Sequence, residues 1–177
     1  MKIAFISDTH GHHSSPTLQL PNRDIIIHAG DFTSMGTLAQ VSDFLEWYSE
    51  LPHTHKVLIG GNHDFLLERN PSLFKSLLPS NIVYLEDNAI EIEGIKIWGS
   101  PITPWFYDWA FNRRRGEDIQ RYWEQIPDDV DVLVTHGPPY GFGDRTSRGD
   151  LVGCEDLLET VRRVKPKYHV FGHIHEA

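Results

Sequence analysis

Five short apolar runs, each ending in a polar cluster, constrain this chain more than any other feature. The runs cover residues 2–7, 24–28, 56–59, 130–134 and 168–171. The clusters after them are Asp8/His10, Asp31, Asn62/His63/Asp64, His136 and His173/His175. Such runs read as buried strands. Side chains at the C-terminal ends of strands converge on one edge of an open α/β sheet, where ligands bind. The pairs Asp8-x-His10 and His173-x-His175 would each point to one side of an extended segment, because strand side chains repeat every two residues. The pattern therefore predicts that these groups meet around one centre.

The segments between the runs supply the rest of an α/β domain. Residues 37–51 carry apolar side chains at 38, 41, 44, 45 and 48, which is helical spacing, with Thr37 as N-cap and Pro52 as the stop. Helices are also expected over 71–78, 117–126 and 154–164, and further strands over 82–85, 89–93 and 95–98. Glu93-Gly94 between the last two strands predicts a hairpin, so this part is expected to be antiparallel. A chain of 177 residues without repeats or a linker reads as a single domain, 1–177. No apolar stretch approaches the ~18 residues of a membrane span, and residues 1–6 are too short an apolar run for a signal peptide. The single cysteine, Cys154, excludes an internal disulfide framework and fits a reducing, cytoplasmic setting. It reads as a small buried hydrophobe. A formal net charge of -9 argues against a broad surface for duplex nucleic acid. It leaves room for a small phosphate substrate, because bound cations reverse the local sign.

The donors decide the chemistry. Asp8, His10, Asp31, Asn62, His136, His173 and His175 are too many for one tetrahedral zinc, but they suit two metals sharing a carboxylate. A mixed oxygen and nitrogen set without thiolate favours manganese, iron or zinc over calcium. Gly60-Gly61 lets the backbone turn sharply and come close to whatever is bound. One Asp-x-His or His-x-His is a weak signal by itself; five complementary clusters after five buried strands are not. Of the remaining histidines, His12, His13, His53 and His55 read as surface residues, and His28 and His169 as structural.

In order and form, Asp8-x-His10, Gly30-Asp31, Gly61-Asn62-His63-Asp64, His136-Gly137 and Gly172-His173-x-His175 resemble the calcineurin-like metallophosphoesterase superfamily. The stretches 99–112 and 170–176 are similar to its metallophosphoesterase-domain-containing phosphodiesterase subgroup. The resemblance implies a sandwich of two mixed β-sheets flanked by α-helices. It implies one metal on Asp8, His10, Asp31 and His175, and another on Asn62, His136, His173 and the shared Asp31. It further implies hydrolysis of small phosphodiesters, cyclic nucleotides among them, by a metal-bridging hydroxide. His63 would protonate the leaving oxygen and Asp64 would orient His63. Manganese is the first expectation for the two ions. A phosphomonoesterase or protein phosphatase, and a metal-binding scaffold with little activity, stand as alternatives.

The loops are expected to set substrate choice. Trp105, Phe106 and Trp109 offer faces for a flat leaving group, or pack their loop onto the core. Arg113, Arg114 and Arg115 offer cations to a phosphate, or a solvated face. The Gly-rich loop 138–153 carries Arg145 and Arg148. The chain stops two residues after His175, so the domain is expected to be short at its C-terminus, with His175 near a frayed end.

Overall fold

The computed structural model describes residues 1–176. Its strands are β1 (Ile3–Ile6), β2 (Ile25–Ala29), β3 (His55–Ile59), β4 (Ile82–Tyr84), β5 (Asn88–Ile92), β6 (Ile95–Ser100), β7 (Thr103–Pro104), β8 (Asn112–Arg113), β9 (Val132–Thr135) and β10 (Tyr168–Val170). Its helices are α1 (Leu38–Glu50), α2 (Phe65–Arg69), α3 (Pro71–Leu77), α4 (Glu117–Trp123) and α5 (Glu155–Val164). The strands form two four-stranded sheets, ordered β1-β2-β3-β4 and β10-β9-β6-β5, and a small β7-β8 pair. The first sheet is wholly parallel, with β4 as its last strand. The second is mixed: β10, β9 and β6 run parallel, and only the β5–β6 hairpin is antiparallel.

Alternation along the strands builds a layered core. Ile25, Ile27 and Ala29 of β2, Val57 and Ile59 of β3, Ile97 of β6, and Val132 and Val134 of β9 form one buried cluster between the sheets. Their neighbours Ile26, Leu58, Trp98 and Leu133 face the other way and join Phe44, Tyr48, Trp123 and Leu157 from the helices. The Tyr48 hydroxyl, buried in that layer, donates to the carbonyls of Ile26 and Val57 at 3.1 and 2.8 Å, tying α1 to β2 and β3.

Helix ends follow their sequence signals. Thr37 Oγ1 accepts from Gln40 N, and Asn70 Oδ1 accepts from Leu73 N just before Pro71. Cys154, fully buried, caps α5 by accepting from Leu157 N at 3.4 Å. His13 and His53 differ from expectation, because both are buried, each 3% exposed. The 12–22 loop packs beside α1, so His13 lies edge-on to Phe44 with Nε2 3.2 Å from Asp43, and His53 Nε2 donates to the Pro21 carbonyl. Among the described residues no helix is long and apolar enough to cross a membrane.

The parallel pairing of β1, β2 and β3, and of β9 and β10, sends every predicted polar cluster to the same edge of the sandwich.

Candidate metal centre

At that edge the chain turns sharply enough to put side chains on unusual backbone. Asp8, His10, Asp31 and His173 have φ values of 52°, 43°, 55° and 71°, in the left-handed region. Backbone hydrogen bonds between loops hold them there: Asp8 N donates to Gly30 O, His10 N to Asp31 O and Gly11 N to Phe32 O. Asp8 closes the ring, its carboxylate accepting from His173 N at 3.0–3.1 Å. The loop after β1 is thus stitched to the loops after β2 and β10.

The focus is Asp31. Its Oδ2 lies 3.2 Å from His136 Nε2, 3.8 Å from His10 Nε2 and 3.9 Å from His63 Nε2, while Oδ1 accepts from His63 N at 2.8 Å. Three imidazoles are aimed the same way because their other nitrogens are spoken for. Nδ1 of His10 donates to Thr33 O, that of His136 to Ala29 O and that of His63 to Ser34 O. A ring donating through Nδ1 to a carbonyl presents Nε2 as its ligand atom, the usual support for a metal-bound histidine. Asn62 Oδ1 meets His136 Nε2 at 2.9 Å, and His175 Nε2 lies 3.4 Å from Asp8 Oδ1. Among the described residues three donor groups emerge: Asp8/His10/His175, His10/Asp31/His63 and Asp31/His136/His173. Asp31 belongs to two of them, and so does His10.

Charge follows this geometry. Both nitrogens of His136 face acceptors, so although burial pulls its pKa down, the Asp31 carboxylate outweighs that and holds it up at about 9. Burial would raise Asp31, but the facing His136 holds it well below the usual carboxylate range. Burial lowers His173 to about 4 and also lowers His10, leaving neutral rings fit to bind a cation. The site grades from the buried Asp31/His136 side to the open side, where the His175 side chain is 56% exposed. A cavity of about 370 Å³ lies there, lined in part by Asp8, Gly143, Ile174 and His175.

Asp64 does something other than orient His63. It is fully buried, and its carboxylate accepts from Asp31 N, Gly61 N, Thr33 N and Thr33 Oγ1 at 2.7–2.9 Å. Burial and the negative Asp31 push it up to about 7, against the pull of these donors. Ser34, through its carbonyl, holds the His63 ring. Asp64 therefore fastens the loop after β3 to the loop after β2. Thr33 and Ser34 were not among the expected site residues; the available signal was their place two and three residues after Asp31.

The two glycines divide the task foreseen for them. A Cβ on Gly61 would collide with the Asp31 carboxylate and backbone nitrogen, and would lie 2.8 Å from His136 Cε1. A Cβ on Gly60 would instead meet the Phe111 and Leu67 side chains, so Gly60 serves packing.

The predicted loop residues scatter. Trp105 and Phe106 are 57% and 62% exposed, whereas Trp109 packs on His63 and Phe65. Arg113 donates to Tyr122 Oη and Glu68, and Arg115 donates to the carbonyls of Val152 and Gly153, clamping the 138–153 loop. That loop is also held by buried Asp144, which accepts from Gly141 N and Gly153 N. Arg145 donates to Gly149 O, inside its own loop.

Known proteins with the same sequence pattern place this edge in context. The calcineurin-like phosphoesterase family profile matches residues 1–177. Human metallophosphoesterase domain-containing protein 1 is 42% identical over 99% of this chain, and the Caenorhabditis elegans UPF0046 protein T07D4.2 is 41% identical over 99%. The chain spans only 60% and 52% of those relatives' own lengths. Among solved structures, the Aquifex aeolicus protein of unknown function AQ665 aligns at 20% identity with a TM-score of 0.44, covering 94% of this chain and 87% of that one. Family membership therefore rests on the sequence match: with the profile spanning every residue, the chain belongs to the calcineurin-like phosphoesterase family.

Proposed function

We propose that this centre holds two divalent metal ions, manganese foremost, and hydrolyses small phosphodiesters, cyclic nucleotides among them. The observation that carries the reading is Asp31 Oδ2, set within 3.9 Å of three imidazole Nε2 atoms and shared between two donor groups. Of the two groups that share Asp31, one adds His136 and His173 and the other adds His10 and His63, while His10 also joins Asp8 and His175 in a third. One ion is assigned to Asp8, His10, Asp31 and His175 and the other to Asp31, Asn62, His136 and His173. The donor set fits two such ions: carboxylate and amide oxygen, imidazole nitrogen, no thiolate and one carboxylate placed for sharing. Divalent ions held there supply positive charge to the phosphoryl oxygens and acidify water for attack on phosphorus.

The chain's own residues do the rest. Asp64 positions Asp31 and Gly61 by accepting their backbone N–H groups. Ser34 accepts from the Nδ1–H of His63 and so turns Nε2 to the centre; with Nε2 protonated as well, the imidazolium gives that proton to the departing oxygen and is left as the neutral Nδ1–H ring. The open side, next to Asp8 and His175, admits a small phosphoester while the Asp31/His136 side stays closed to water.

The test is turnover of bis(p-nitrophenyl) phosphate and of p-nitrophenyl phosphate, with manganese and after chelation. Metal-dependent cleavage that favours the diester is expected. A preference for the monoester would replace the diesterase reading with a phosphatase. Stoichiometric metal with neither substrate cleaved would leave a metal-binding scaffold.

A further inference from the structure

We propose that Trp109 is a positioning residue for His63, acting as a wall that keeps the imidazole aimed at the centre. The proposal rests on the role given above to His63 as proton donor. A single hydrogen bond from Nδ1 to Ser34 O, 2.8 Å long, pins one point of the ring but leaves it free to swing about that point. Two rings remove the freedom. His10 stands edge-on to His63, with centroids 4.6 Å apart at 84°, and Trp109 lies against it at 4.3 Å and 41°. Trp109 is backed in turn by Phe65, stacked at 5.7 Å and 28°.

The segment bearing Trp109 is built to stay in place. Ala110 N donates to Asn62 O at 3.1 Å, joining it to the residue before His63. The Asn112 amide donates to the carbonyls of Phe106 and Tyr107, and its own Oδ1 accepts from Thr103 Oγ1. Ala110 and Phe111 are 1% exposed and anchor the segment in the core. Trp109 is thus committed to His63 and Phe65, not free to stack on a substrate base. Catalytic groups lose up to ~100-fold in rate when displaced by about 1 Å. A wall that stops the His63 ring from swinging therefore affects turnover without touching substrate.

The experiment compares manganese-loaded wild type, Trp109→Leu, Trp109→Phe, His63→Ala and the His63→Ala/Trp109→Leu double variant. The substrates are bis(p-nitrophenyl) phosphate, whose leaving group departs readily without a proton, and diphenyl phosphate, whose leaving group needs one more. Trp109→Leu is expected to lower kcat on diphenyl phosphate by about 10- to 100-fold with KM little changed. It should act less on the nitrophenyl ester, and it should add nothing to the loss in His63→Ala. Trp109→Phe, which keeps a ring, should stay within a few-fold of wild type. A second readout needs neither metal nor turnover: in metal-free protein the His63 ring protons, assigned by their loss in His63→Ala, should be displaced by the indole ring current. That displacement should shrink in Trp109→Phe, which carries this readout even if Trp109→Leu does not fold. Full activity of Trp109→Leu on diphenyl phosphate, equal losses on both esters, additive losses in the double variant, or unmoved His63 resonances would each overturn the proposal. A slow His63→Ala beside a fast Trp109→Leu removes only the role of Trp109. A His63→Ala protein with wild-type turnover removes the donor role of His63, and the role of Trp109 with it.

Discussion

Asp8, His10, Asp31 and His173 hold left-handed backbone that costs roughly 1–3 kcal/mol each for a side-chain-bearing residue. Such strain persists only where neighbours over-determine it, and here the neighbours are each other's backbone donors and the Asp8 and Asp64 carboxylates. The identities of these groups were legible because ligand chemistry admits few residue types. The partner of His63 was not, because a backbone carbonyl such as that of Ser34 leaves no mark on residue identity. His28 lies beneath the centre, fully buried among Phe32, Phe44 and Tyr48, with Nε2 3.1 Å from Thr9 Oγ1. Burial holds its pKa down at about 3, against 6.5 for an ordinary histidine. The folded protein therefore keeps His28 neutral where the unfolded chain protonates it. Its contribution to stability is full above pH 6.5 and is lost as pH falls from there towards 3, at up to about 1.4 kcal/mol per pH unit. Urea midpoints at about pH 7 and pH 4.5 should differ less in His28→Gln than in wild type, because that variant has no imidazole to protonate. Equal differences in the two proteins would contradict this.

At the scale of elements, the loops after parallel strands carry the site, and their close approach needs Gly61. The collision of a Gly61 Cβ with Asp31 involves backbone as well as carboxylate, so no side-chain swing relieves it. Gly61→Ala should cost about 1–3 kcal/mol, the usual penalty of overpacking, and should weaken metal binding as well. Gly94→Ala, in the β5–β6 hairpin, meets nothing within 4 Å and bears only the left-handed φ of 81°, a strain of roughly 1–2 kcal/mol with no effect on metal. Urea unfolding and metal titration of both variants check this; metal affinity unchanged in Gly61→Ala would refute the close-approach role. The long strands and helices were readable because periodicity and caps repeat over enough residues to be seen. α2, five residues long, and the two-residue β7 and β8 were not, because they are shorter than any repeat that would announce them. The pairing of β4 with β3 also escaped notice, since a three-residue strand does not encode its partner.

For the whole molecule, two sheets deliver their parallel strand ends to one edge, so residues 165 apart in sequence, Asp8 and His173, become hydrogen-bonded neighbours. This convergence was legible from the repeated motif of apolar run and polar cluster. The burial of His13 and His53 was not, because it depends on how an irregular loop lies beside α1. The same convergence predicts how the molecule binds metal. Donors on both sides of a shared Asp31 should load as a pair. The most direct measurement is therefore the number of manganese ions bound per chain after loading and removal of free metal, in wild type and in Asp31→Asn. The structure predicts about two ions per wild-type chain, the count for which a shared carboxylate is suited, and one or none once that carboxylate is an amide. A wild-type chain that binds no stoichiometric metal, or an Asp31→Asn chain that still binds two ions as tightly, would contradict it.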